Sequence, residues 1–105
     1  MTSSRGQLMR IHLGEDDTWR GRPLYQEIVD RCRRAGIAGA TVYRAIEGYG
    51  GASFIRRPHF LRSPDLPIVI TIIDREEKLA GLRPCLDEIV DEGLIAISSV
   101  EVLRR

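Results

Sequence analysis

Apolar and polar residues alternate along Gln7–Leu13, with Met9, Ile11 and Leu13 on one side and Leu8, Arg10 and His12 on the other, which predicts a strand. A helical period takes over at Pro23, which fits the first helical position because its missing N–H is not needed there. Leu24, Ile28 and Cys32, joined by Tyr25 and Val29, form the apolar stripe; Glu27, Asp30, Arg31, Arg33 and Arg34 are expected to face water, and Gly36 supplies the stop. Thr41–Ile46 returns to a β-rich alternation, and Pro67–Ile73 is the strongest strand signal in the chain. Asp74 is placed as the cap of a second helix that opens with Glu76 and Glu77, acids suited to a helix N-terminus. Leu79, Leu82, Leu86, Ile89 and Val90 make its stripe, and Pro84 within it predicts a kink or a division into two short helices. Gly93 ends the helix and Leu94–Val102 reads as a fourth strand.

The order β-α-β-β-α-β is the split βαβ pattern, an α+β ferredoxin-like fold with a four-stranded antiparallel sheet and both helices on one face. Right-handed crossovers put the first and third strands in the centre. A sheet covered on one side only should alternate apolar and polar residues. The third strand does not, since Ile68, Ile70 and Ile72 point one way and Val69, Thr71 and Ile73 the other. The second face therefore calls for cover, and with no third layer in the chain the expected cover is other copies of itself.

The connection from Glu47 to Pro67 is several times longer than the roughly 2–5 residues that usually join adjacent strands. It begins Gly48-Tyr49-Gly50-Gly51 and continues with Arg56, Arg57, His59, Phe60 and Arg62, without an acid between Gly48 and Leu61. Such a loop is read as functional, and the rest of the chain as its scaffold. The arginines suit an anion or an acidic partner, with pairing to the acidic second helix as the plainer alternative. The glycines permit a hinge, an amide nest or a simple bulge, and Tyr49 can stack on a base or plug an interface.

At 105 residues the chain is expected to be one domain, 1–105, with the loop at about 48–65. A net charge of +1 gives no global attraction to nucleic acid or membrane, so recognition must be local. The absence of a bilayer-length apolar run and of a signal-peptide core points to a cytoplasmic protein without membrane insertion. Cys32 and Cys85 lack metal-type spacing and read as free thiols. Glu15-Asp16-Asp17 reads as a polar turn, Trp19 as an anchor for its loop, Arg20 and Arg22 as solvated charges or an anion pair, and His12 as structural. No nucleophile–base–orienter set is present, so no catalytic residue and no metal site is expected, and the chain is read as a non-enzyme.

Among split-βαβ proteins, an RNA-recognition module would need exposed aromatics on its central strands, and these strands have none. The metal-carrying version would show Cys-x-x-Cys after the first strand, where Gly14-Glu15-Asp16-Asp17 stands instead. The blocks Arg10–Glu15, Arg20–Tyr25, Gly39–Gly50 and Leu66–Ile70 resemble the bacterial domain-of-unknown-function family 190, grouped with the PII-like signalling proteins, and the similarity runs over Gln7–Leu103. The resemblance implies a homotrimer, a T-loop at about Gly48–Asp65 with Glu47, Gly48 and Tyr49 at its base, and adenine-nucleotide binding in clefts between subunits. It also implies control of a partner by the T-loop. Some family members are encoded beside fluoride-channel proteins, which suggests a membrane transporter or channel, with an enzyme as another kind of partner. The chain departs from PII at Asp91-Glu92-Gly93, short and acidic where PII carries a phosphate loop. The candidate ligand-binding residues are Arg44, Glu47, Gly48, Tyr49, Gly50, Arg56, Arg57 and His59, for a small anionic ligand, with an adenine nucleotide as the cofactor class; the alternative is a ligand-free interaction module.

Overall fold

The computed structural model describes residues 1–50, 54–56 and 65–105, with only the backbone described at Gly50 and 54–56. Strand β1 (Thr2–Gly14) is followed by a small ribbon, β2 (Thr18–Trp19) and β3 (Arg22–Pro23), and by helix α1 (Leu24–Arg34). Then come β4 (Ala40–Arg44), a second ribbon of β5 (Gly48–Gly50) and β6 (Phe54–Arg56), β7 (Pro67–Asp74), α2 (Glu76–Ile89) and β8 (Leu94–Arg104). The main sheet has the order β4-β7-β1-β8 with every pairing antiparallel, so the two expected strands occupy the centre.

Alternation decides which side of the sheet is closed. Met9 and Ile11 of β1, Ile70 and Ile72 of β7, Ile28 of α1 and Leu79 of α2 have no exposed surface, and they meet in one core with Leu24, Cys32, Leu82, Leu86 and Ile89. The opposite side of β7 stays open: Val69 and Thr71 are half-buried and Ile73 keeps 39% of its surface.

Several boundaries differ from the pattern. Strand β1 starts at Thr2 because Thr2–Gly6 pairs with Val100–Arg104 through backbone hydrogen bonds, which leave no trace in side-chain alternation. Strand β4 stops at Arg44, and part of the long connection is the β5–β6 ribbon, with Gly48 opposite Arg56 and Gly50 opposite Phe54. Pro84 lies inside one continuous α2; the buried Leu79, Leu82, Leu86 and Ile89 hold the helix together across it. Asp74 does not cap α2 with its side chain in the expected way. Its Oδ1 accepts from Arg75 N at 2.7 Å and its Oδ2 from Ala38 N at 2.8 Å, so it ties the segment after α1 to the end of β7. Burial works against that carboxylate's ionisation, but the two amides, with Lys78 and Arg75 nearby, keep it below the usual carboxylate range. His12 is exposed on the open face of the sheet rather than built into the core.

Candidate functional site

The residues that lead into the long connection gather at one edge of the sheet. There the end of β1, the end of β4 and the start of β7 meet, because antiparallel pairing brings Gly14 opposite Pro67 and Arg44 opposite Ile68. Backbone bonds tie the three segments together: Glu15 N donates to Leu66 O at 2.8 Å and Ala45 N to Pro67 O at 2.8 Å. The acidic run after β1 forms the expected polar turn, with Asp17 N donating to Gly14 O at 3.1 Å and Gly14 N to Asp17 Oδ2 at 2.9 Å. Asp16 N reaches across to Asp65 Oδ1 at 3.1 Å.

On this frame Arg44 meets Glu15, its Nη2 paired with Glu15 Oε2. Glu15 is mostly buried, and its second oxygen, Oε1, is shut off from solvent with no hydrogen-bond partner among the described residues. A half-satisfied buried carboxylate beside a guanidinium is a site with one acceptor in reserve. Gly48 lies against Pro67, where an added Cβ would stand 3.2 Å from Pro67 Cγ, so its small size serves a close approach. Ile46 and Tyr49 are 83% and 84% exposed. Arg44, Glu47, Gly48 and Tyr49 thus share one edge, Gly50 joins them through the β5 backbone, and Arg56 lies opposite Gly48 in the ribbon. Arg57 and His59 fall outside the described residues. Glu15 was not among the expected site residues; β7 lies between its strand and that of Arg44, so spacing along the chain gave no signal for the pair.

A second polar cluster sits on α1, and it corrects the expectation that Glu27 faces water: Glu27 is only 3% exposed. Arg22 Nη1 donates to its Oε1 at 2.6 Å, and Arg31 Nε and Arg34 Nη2 donate to its Oε2 at 2.8 Å and 3.4 Å. The hydrogen bond from Arg31 leads the causes that hold Glu27 below the usual carboxylate range, against the effect of burial. Arg31 lies 4.9 Å from the Trp19 ring centroid and Arg20 4.5 Å from it, so Trp19 anchors its loop between two cations. Arg22 also pairs with Asp30 at 2.8 Å. These arginines are engaged in structural pairs, unlike Arg44 at the open edge.

Among the described residues no group of three or more His, Cys, Asp or Glu is placed to hold a metal ion, and no helix is long and apolar enough to cross a membrane.

A UPF0166 protein of Aquifex aeolicus is 43% identical over 101 residues, covering 92% of each chain. A UPF0166 protein of Methanocaldococcus jannaschii is 35% identical over 95% of this chain and 94% of its own. Among solved structures, CPII from Thiomonas intermedia K12, a nitrogen regulatory PII-like protein bound to ADP, AMP and bicarbonate, superposes with a TM-score of 0.69 at 20% identity, over 98% of this chain and 92% of that one. A PII-like signaling protein from Thermus thermophilus, itself assigned from likeness, matches with a TM-score of 0.69 at 20% identity, over 98% and 94%. At that identity the likeness establishes a shared fold. The DUF190 family model, described as "Uncharacterized ACR", matches residues 6–102, and with the two UPF0166 relatives it establishes that this chain belongs to the DUF190 family, on a PII-like fold.

Proposed function

We propose that this chain is a PII-like regulatory protein of the cytoplasm, a homotrimer that binds a small anionic ligand of the adenine-nucleotide class between its subunits and passes that occupancy to a partner through the segment from Gly48 to Asp65. The observation that carries the reading is the convergence of Glu15, Arg44 and the Gly48–Gly50 strand at one edge, with Tyr49 84% exposed beside a guanidinium. An arginine for phosphate and an exposed aromatic ring for a base are the two groups a nucleotide needs from such an edge. CPII, on the same fold, was crystallised with ADP, AMP and bicarbonate, which supports testing those ligands here. Arg56, Arg57 and His59 are proposed as further ligand contacts from the long connection, and Glu47 as part of its base. The reading is of a regulator and not of an enzyme.

Titration calorimetry with ATP, ADP, AMP and cyclic nucleotides tests it. Binding by the wild type that weakens about tenfold or more in Arg44→Ala or Tyr49→Ala supports the reading. Heat from none of the four ligand types removes the nucleotide.

The exposure of Ile46 and Tyr49 favours a second reading, in which the edge is a protein-interaction surface without a ligand, acting on a membrane transporter or channel or on an enzyme. Deleting Gly50–Arg62 should then abolish capture of that partner and leave the trimer intact; capture that persists contradicts it.

A further inference from the structure

The open face of the sheet has a charge pattern that the scaffold alone does not require. Pairing registers put Leu8, Val69, Ile73, Tyr43, Leu94 and Ala96 on that face, around Arg10 and His12 on central strand β1. His12 stands between Val69 and Leu94, and Arg10 between Thr71 and Ala96, so both cations are framed by apolar or small neighbours. Both are exposed, and among the described residues neither is held by a hydrogen bond or an ion pair. No aspartate or glutamate occupies any open-face position of the four strands, because Asp74 and Glu101 fall on the other side, opposite Gln7 and Arg5.

That pattern bears on assembly. If copies of this chain cover one another's open faces, which is the trimer of the proposed function on which this inference rests, each copy brings Arg10 and His12 and none brings an acid from that face. A buried guanidinium has to be paired or hydrogen-bonded, and a second guanidinium does not serve. We propose that the assembled open faces enclose a binding site for a small oxyanion, held by Arg10 with His12 beside it, and that the site is complete only when the copies contribute these residues together. The ligand class is a compact, multiply accepting anion such as bicarbonate, phosphate or sulfate, because a guanidinium donates to two oxygens of such an ion at once. Apolar neighbours exclude water around it and make the contact stronger than on an open surface.

Sedimentation of the full chain over a range of protein concentrations tests this, in chloride and with millimolar bicarbonate, phosphate or sulfate substituted at equal ionic strength. The wild type should associate about tenfold or more tightly with at least one oxyanion than with chloride. Arg10→Met should lose that response and associate in chloride without help, since an apolar side chain needs no counter-ion. His12→Gln should keep a reduced response. Sulfate also strengthens apolar burial in general, so the deciding quantity is the difference between wild type and Arg10→Met in the same buffers. A wild-type response equal to that of the variant overturns the anion site and leaves the trimer standing. A chain that is monomeric in every buffer overturns the assembly, and the anion site with it. Should Arg10→Met fail to fold by circular dichroism, Arg10→Gln serves the same comparison.

Discussion

Strand β7 carries isoleucine on both of its faces, and the fold uses the two faces in opposite ways. Ile70 and Ile72 have no exposed surface beneath α1 and α2, whereas Ile73 keeps 39% of its surface on the side that no helix covers. The polar residues divide in a similar manner. On α1 three arginines converge on one buried acid, Glu27, while on the open face Arg10 and His12 have no acid beside them. The closed side is complete within one chain, and the open side becomes complete only with something added.

Removing a side chain from each face measures that difference. Ile70→Ala should cost about 2–5 kcal/mol at any protein concentration, because the cavity it leaves lies inside a single chain. Ile73→Ala should cost little when the chain is dilute, about 0.5 kcal/mol as for ordinary surface positions. Its cost should grow with concentration as copies associate. Denaturant melts of both variants at low and high concentration check this, and an Ile73→Ala cost that does not change with concentration would place the open face in water.

Much of this contrast could be read from the chain itself. The double-sided apolar run Ile68–Ile73 announced a covered and an uncovered face, and the element order announced β7 and β1 as the centre. What escaped the reading depended on neighbours. Thr2–Gly6 is a strand because β8 supplies backbone partners, and polar side chains carry no record of that. The spacing of Glu27, Arg31 and Arg34 showed a helical charge row, but its burial depends on Arg22 and on Trp19, which come from the ribbon before α1. The pairing of Glu15 with Arg44 required knowing that β7 stands between their strands. The edge at which the long connection is rooted was visible from its glycines, and the acid that completes the edge was not.

The arginine cluster gives the next effect, a pH dependence. Glu27 is held below its ordinary value of 4.5 in the folded chain, so its ion pairs stabilise the fold above that value. The contribution is lost as pH falls through the lower folded-state value. Glu27→Gln keeps the shape and removes the charge, so it should lower the melting midpoint at neutral pH. It should also flatten the decline below about pH 4.5, where the wild type and the variant should converge. Thermal melts between neutral pH and pH 3 check the sign; a variant whose deficit widens on acidification would contradict it. Asp74, also held low, remains in both proteins and accounts for the residual slope.

A smaller loss is expected at Gly93. A Cβ there would stand 2.9 Å from His12 O, which is backbone and cannot swing aside. Gly93→Ala should therefore force the start of β8 away from β1 and cost about 1–3 kcal/mol. Gly39→Ala meets nothing within 4 Å and serves as the control. Equal melting midpoints for the two variants would show that the β1–β8 edge yields more easily than its pairing suggests.

The last contrast changes reactivity and leaves stability alone. Cys32 and Cys85 lie on the two helices of the closed side, yet Cys32 is 2% exposed in the core while Cys85 is partly exposed and accepts a hydrogen bond from Arg31 Nη1 at 3.3 Å. Burial, with the Cys85 thiol adding to it, pushes the Cys32 thiol up to about 11, so almost none of it is thiolate at neutral pH. Iodoacetamide at pH 7.5 should therefore modify Cys85 in the folded chain and leave Cys32 untouched until denaturant is added, with peptide mass spectrometry assigning the sites. Alkylation of Cys32 at a rate that follows denaturant concentration would report opening of the core between α1 and the sheet. Alkylation of Cys32 as fast as Cys85 without denaturant would mean that the helix-covered side opens readily despite its internal packing, and the contrast between the two faces would lose its physical basis.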